Sequence, residues 1–219
     1  MFVKICGTTS EADALLAVAM GADAVGFIFA PSPRQIAPVL ARDIAKRLPA
    51  HILTVGVFRD ELPERVVEIN GFAGLKAVQL HGRETPDQAR WIRKRVPMVI
   101  QAFPAGDPTI ARAHEYGVYA VLIDNPAPGS GEVFDWALAG EAPDGVRVIL
   151  AGGLTADNVG AAVAAVQPWG VDVVTGVERE PGRKDPMKLR AFVARAKAAE
   201  VAPYEGDEDV RPYDWEEEA

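Results

Sequence analysis

Short apolar runs recur along the chain, each followed by a longer segment in which apolar residues return every three or four positions. The runs are Val3–Cys6, Ala24–Phe29, Leu53–Phe58, Ala77–Leu80, Met98–Phe103, Ala120–Ile123, Arg147–Leu150 and Val171–Thr175. They are mostly unbroken rather than alternating, the pattern of parallel strands covered on both faces. The segments between them begin with helix-start chemistry. Thr8 and Glu11 have capping-box spacing. Thr85-Pro86-Asp87-Gln88 supplies a capping threonine, a proline at the first helical position and a glutamine able to reach back. Pro38, Pro63 and Pro108 open helices toward Leu48, Phe72 and Tyr116; Thr155 or Asp157 starts one through Val166, and Asp185-Pro186 starts the last. Gly21 stands where a left-handed residue would end the first helix.

Strand and helix alternating eight times predicts an α/β fold of the (β/α)8 barrel type, with an eight-stranded parallel sheet. A doubly wound open sheet would also alternate, but it usually needs fewer strands at this length and tends to carry a G-x-G-x-x-G turn, which is absent. The expected division is a barrel over residues 1–200 and an acidic, mobile tail over 201–219. The proline- and glycine-rich stretch Asn125–Gly131, ahead of Phe134-Asp135-Trp136, breaks the rhythm and reads as a lid.

Charge changes the picture only at the end of the chain. The formal net charge is −8 over 219 residues, but residues 201–219 hold eight acids and one base, so about −1 remains for the body. This argues against a nucleic-acid partner. No apolar run is long enough for a membrane span, and no signal-peptide pattern opens the chain. A single cysteine cannot build a disulfide framework, which suits a reducing cytoplasm. With His51, His81 and His114 lacking ligand spacing, no metal site is expected.

The candidate chemistry lies at the strand ends, where a barrel carries its working residues. Cys6 closes the first strand, Arg34 follows the second, His81 the fourth, and Asp124 closes the sixth. Gly152-Gly153 and Thr175-Gly176 follow the seventh and eighth, where close-approaching backbone N–H groups suit a phosphate. Lys4 shares a face with Cys6, and Gln79 with His81. A lysine inside the barrel is expected to lower the Cys6 pKa and to need a partner, for which Asp172 on the neighbouring strand is the candidate.

Taken together, Lys4-Ile5-Cys6-Gly7, Gly26-Phe27-Ile28-Phe29 with Ser32-Pro33-Arg34, Val55-Gly56-Val57-Phe58, Val78-Gln79-Leu80-His81-Gly82, Asp124-Asn125, Leu150-Ala151-Gly152-Gly153-Leu154 and Asp172 through Glu178 with Gly182 and Lys184-Asp185 resemble the phosphoribosylanthranilate isomerases of tryptophan biosynthesis. The resemblance covers about residues 1–198 and implies a barrel acting on a phosphorylated small molecule without cofactor or metal, as a monomer or homodimer. It implies an Amadori rearrangement with Asp124 as general acid and Cys6 as general base. Arg34 would meet the anthranilate carboxylate, and Gly152, Gly153, Thr175 and Gly176 the phosphate. Gln79 and His81 complete the expected substrate contacts. Thr8, Gln101 and Val174 depart from the residues usual in that family. A related sugar isomerase of histidine biosynthesis uses an aspartate where this chain has Cys6. A catalytically idle barrel, binding partners through its tail, would have no reason to keep Cys6, Asp124 and Arg34 together.

Overall fold

The computed structural model describes residues 1–126 and 145–201, with positions 135, 136, 138, 142 and 143 between them. Eight parallel strands close into a barrel in chain order: β1 Phe2–Ile5, β2 Ala24–Ile28, β3 Leu53–Phe58, β4 Ala77–Leu80, β5 Met98–Pro104, β6 Ala120–Asp124, β7 Val148–Leu150 and β8 Gly170–Val173. Closure is made by β1 against β8, with Lys4 opposite Asp172. All eight strands lie where the apolar runs place them. A short antiparallel hairpin, β9 Glu178–Glu180 and β10 Arg183–Lys184, follows β8 and has no counterpart in the apolar pattern.

Alternation along the strands separates two apolar layers. Val55, Ala77, Ile100, Ala120, Leu122 and Ile149 pack together inside the barrel. Val3, Ile5, Val25, Phe27, Leu150, Val171 and Val173 point out and are covered by helices. The N-terminal floor is aromatic: Phe2 stacks on Trp169, Tyr119 meets Trp169 edge-on, and the Arg147 guanidinium lies over Tyr119.

The helices are α1 Glu11–Ala19, α2 Pro38–Ala45, α3 Pro63–Ala73, α4 Pro86–Arg93, α5 Val159–Val166 and α6 Pro186–Ala198. Thr85 and Gln88 form the expected capping box, and Asp185 caps α6 through Met187 and Lys188 N–H. Gly21 is left-handed after α1, as its position suggested. Three starts differ. Ser10, not Thr8, caps α1, because Thr8 is buried and its N–H is bonded to Gly26 as an extension of the strand region. Pro108 opens a 3-10 segment to Tyr116 rather than an α-helix, with a kink at Arg112. Asn158 precedes α5, its side chain accepting from Thr155 N–H and donating to Gly153 carbonyl, so it organises the loop before the helix instead of capping it. Most of the expected lid, and the tail beyond Val201, lie outside the described residues. Among the described residues no helix is long and apolar enough to cross a membrane.

Candidate active site

A cavity of about 380 Å³ opens at the C-terminal end of the barrel. Cys6, Arg34, Gln79, His81, Asp124, Gly152, Gly153 and Thr175 all line it, although they come from six different strand ends or following loops. Gly176 does not. A Cβ there would sit 1.9 Å from the Leu154 carbonyl oxygen, so this glycine lets the turn after β8 lie against the turn after β7.

Cys6 is 3% exposed, and its thiol sits where β2 offers no side chain: a Cβ on Gly26 would lie 2.6 Å from Sγ. Lys4, fully buried, donates to Asp172 Oδ1 at 2.9 Å, the pairing its register requires. Burial alone would depress the Lys4 pKa, but the facing Asp172 and Cys6 hold it above its usual value. The expectation for the thiol is reversed. Burial pushes the Cys6 thiol up; Lys4 and Lys184 pull it down, but Asp172 adds to the burial effect and the neutral form is favoured. A nearby lysine does not make a thiolate when the same lysine is already neutralised by an aspartate and the sulfur has lost its water.

Across the cavity, Gln79, His81 and Asp124 form a chain. Gln79 Nε2 is 2.7 Å from His81 Nδ1, and His81 Nε2 is 3.2 Å from Asp124 Oδ2. With the Gln79 amide donating to Nδ1, the imidazole proton faces Asp124. The other Asp124 oxygen accepts Asn125 N–H at 2.8 Å, so both oxygens are aimed. Gly152 is left-handed at φ 85°, and a side chain there would collide with Asn125 N and crowd Asp124 Oδ1. Gly153 is also left-handed, at φ 65°. The two successive residues turn the backbone around the rim beside the turn that carries Thr175.

Arg34 is not free. Its Nε lies 3.0 Å from both Glu178 oxygens and its Nη2 is 2.7 Å from Oε2, a forked pair. Its Nη1 has no partner among the described residues. No local pattern marks Glu178 and Lys184 as site residues, because their partners Arg34 and Cys6 are distant in sequence. Of the departures from family residues, Val174 lines the cavity. Gln101 alternates onto the outer face with Val99 and Phe103, away from the cavity. Thr8 is buried with an unpartnered hydroxyl.

Comparison with known proteins bears on the fold and the family of the chain. Residues 3–195 match the family model described as N-(5'phosphoribosyl)anthranilate (PRA) isomerase. A relative named N-(5'-phosphoribosyl)anthranilate isomerase from Desulforudis audaxviator is 50% identical over 204 residues, covering 90% of this chain and 98% of that protein. The crystal structure of phosphoribosyl anthranilate isomerase from Thermus thermophilus superposes with a TM-score of 0.84 at 43% identity, covering 90% of this chain and 99% of that one. A second crystal structure of the isomerase, in complex with reduced 1-(o-carboxyphenylamino)-1-deoxyribulose 5-phosphate, gives 0.79 at 39% identity over 90% of this chain and 98% of that one. With a closed eight-stranded barrel and a family match over nearly its whole described length, the chain belongs to the N-(5'-phosphoribosyl)anthranilate isomerase family.

Proposed function

We propose that this barrel isomerises N-(5'-phosphoribosyl)anthranilate to 1-(o-carboxyphenylamino)-1-deoxyribulose 5-phosphate, with Asp124 as general acid and Cys6 as general base. The observation that carries the assignment is that these two groups face one cavity from β1 and β6. Asp124 delivers a proton to the furanose ring oxygen. The C1′–O bond breaks onto that oxygen while the anilino nitrogen lone pair forms the C1′=N bond. Cys6, as thiolate, then takes the C2′ proton, and the electrons of that C–H bond form C1′=C2′ as the C1′=N electrons return to nitrogen. The enolamine tautomerises to the C2′ ketone. Hydrogens move and nothing is oxidised overall.

The surroundings support each role. His81, at 3.2 Å, can restore the Asp124 proton between turnovers. Lys4 and Lys184 stabilise the Cys6 thiolate once it forms. The Nη1 edge of Arg34 is left for the anthranilate carboxylate, to which a guanidinium donates in matching geometry. The glycine turn at 152–153 and Thr175 receive the phosphate, with Gly176 letting the two turns lie together. The catalytic unit is residues 1–200. A lone cysteine used as a thiolate suits the reducing cytoplasm.

Two substitutions test the assignment. Cys6→Ser should cost about 10²–10⁴-fold in kcat, since a hydroxyl is a far poorer base near neutral pH. Asp124→Asn should stop ring opening while leaving the fold intact and the reduced product analogue still bound. A Cys6→Ser protein retaining more than half its activity would remove Cys6 from the mechanism, and an Asp124→Asn protein that unfolds at much lower temperature would make Asp124 structural.

A further inference from the structure

Behind the cavity wall lie a carboxylate and an ammonium that exchange no proton with the substrate. Glu178, on β9, is 4% exposed at its side chain, and Lys184, on β10, is 0% exposed. They sit opposite each other in the hairpin, whose turn is closed by left-handed Gly182. Lys184 Nζ has three N–H groups and directs them at three acceptors: Cys6 carbonyl at 2.6 Å, Glu178 Oε1 at 3.2 Å and Val174 carbonyl at 3.4 Å. Glu178 in turn accepts Gly182 N–H at 3.2 Å and the Arg34 fork. One hairpin therefore reaches both Arg34 and the strand end bearing Cys6.

We propose that the Glu178–Lys184 pair is the positioning device for both working groups: Glu178 aims the Arg34 guanidinium, and Lys184 fixes the Cys6 end of β1 and lends it positive charge. The proposal rests on the roles given above to Cys6 and Arg34. A buried ion pair is a poor way to stabilise a barrel, because desolvation offsets most of the attraction and well-packed apolar residues do as well. What it supplies is geometry. Glu178 holds Nε and Nη2 of Arg34, which fixes the plane of the guanidinium and leaves Nη1 as the edge for a ligand carboxylate. Two cations share one carboxylate in this cluster, so a net positive charge remains where Arg34 meets the cavity.

The charge on Lys184 also reaches the sulfur. Cys6 is faced by Lys4 from its own strand, by Asp172 from β8 and by Lys184 from β10, while β2 presents only Gly26. Lys4 is tied directly to Asp172 at 2.9 Å, so its attraction for the thiolate is opposed at close range. Lys184 is tied to Glu178 at 3.2 Å; burial pushes its own pKa down against the pull of Glu178 and Cys6, and its charge pulls the thiol down.

The test uses the full chain and the fact that Cys6 is its single cysteine. Alkylation of Cys6 by iodoacetamide, followed by intact mass across a pH series, reads thiolate formation without any turnover. Lys184→Met should move that profile to higher pH and lower kcat about tenfold or more at neutral pH, with partial recovery as pH rises and little change in KM. Lys184→Arg should bring the profile back toward the original. Glu178→Gln should raise KM and the Kd of the reduced product analogue about tenfold with a smaller effect on kcat, because Arg34 loses its forked partner. The double variant, which removes one charge of each sign, should show both effects and guards against a single variant that fails to fold. An unchanged alkylation profile in Lys184→Met and in the double variant, or a kcat loss that higher pH does not relieve, would overturn the role of Lys184. An unchanged KM and Kd in Glu178→Gln would overturn that of Glu178. Failure of the base assignment itself would show separately, as activity retained by Cys6→Ser, and would leave the alkylation result standing.

Discussion

Gly26→Ala is the smallest change that should reach the chemistry, since it adds one methyl group and no charge. The added Cβ would lie 2.6 Å from Cys6 Sγ and 3.2 Å from both Cys6 Cα and Cβ. Ordinary contact is about 3.5–4.0 Å, so sulfur and methyl overlap by about 1 Å. Neither side can yield easily. Gly26 is pinned in β2 against Val55, and Cys6 has its N–H on the Val173 carbonyl and its own carbonyl on Lys184. Overpacking of this kind costs about 1–3 kcal/mol, partly offset by the roughly 0.5–1 kcal/mol that alanine gains over glycine in a strand. At about 2–4 °C per kcal/mol for a domain of this size, Tm should fall by a few degrees. The effect on turnover should be larger, because a base displaced by about 1 Å can lose on the order of 10²-fold in rate. Gly71→Ala is the control: it lies inside α3 with nothing within 4 Å of the new Cβ, and should gain up to about 1 kcal/mol with unchanged kinetics. Thermal unfolding and steady-state kinetics of the two proteins decide the matter. A Gly26→Ala enzyme with the parent Tm and kcat would mean that the thiol does not occupy the space this glycine leaves.

Two other outcomes follow. Arg34 and Lys184 hold Glu178 below the ordinary carboxyl value of 4.5 despite its burial, so its charge contributes stability that is complete above about pH 4.5 and is lost as pH falls through its folded value. The Tm of the parent should therefore drop between pH 5 and pH 3 more steeply than that of Glu178→Gln, and parallel curves would refute it. Truncation after Val201 removes seven net negative charges and should leave kcat and oligomeric state unchanged; a large drop in turnover, or a change of assembly in sedimentation, would make the tail a working part.

Elements set by near neighbours were legible in the sequence. The eight apolar runs became the eight strands, since a strand buried on both faces must be apolar whatever surrounds it. Thr85–Gln88 and Asp185 cap their helices because both partners of each bond lie within three residues. Cys6 and Asp124 were visible as polar residues closing apolar strands, and alternation alone put Lys4 on the Cys6 face. Where a distant partner competed, local reading failed. Thr8 has the spacing of a cap but is drawn into the barrel by Gly26, and the Pro108 segment tightened into a 3-10 turn.

Only closure of the barrel decided the rest. Lys4 and Asp172 are 168 residues apart, Arg34 and Glu178 are 144 apart, and Cys6 and Lys184 are 178 apart. No local pattern encodes such pairings. The ionisation of Cys6 depends on them most of all, because it balances a desolvation that only packing creates against two lysines that the register of β1, β8 and β10 brings to one place. The chain determines which groups stand at the strand ends; the fold decides which charges face them and how much water they lose.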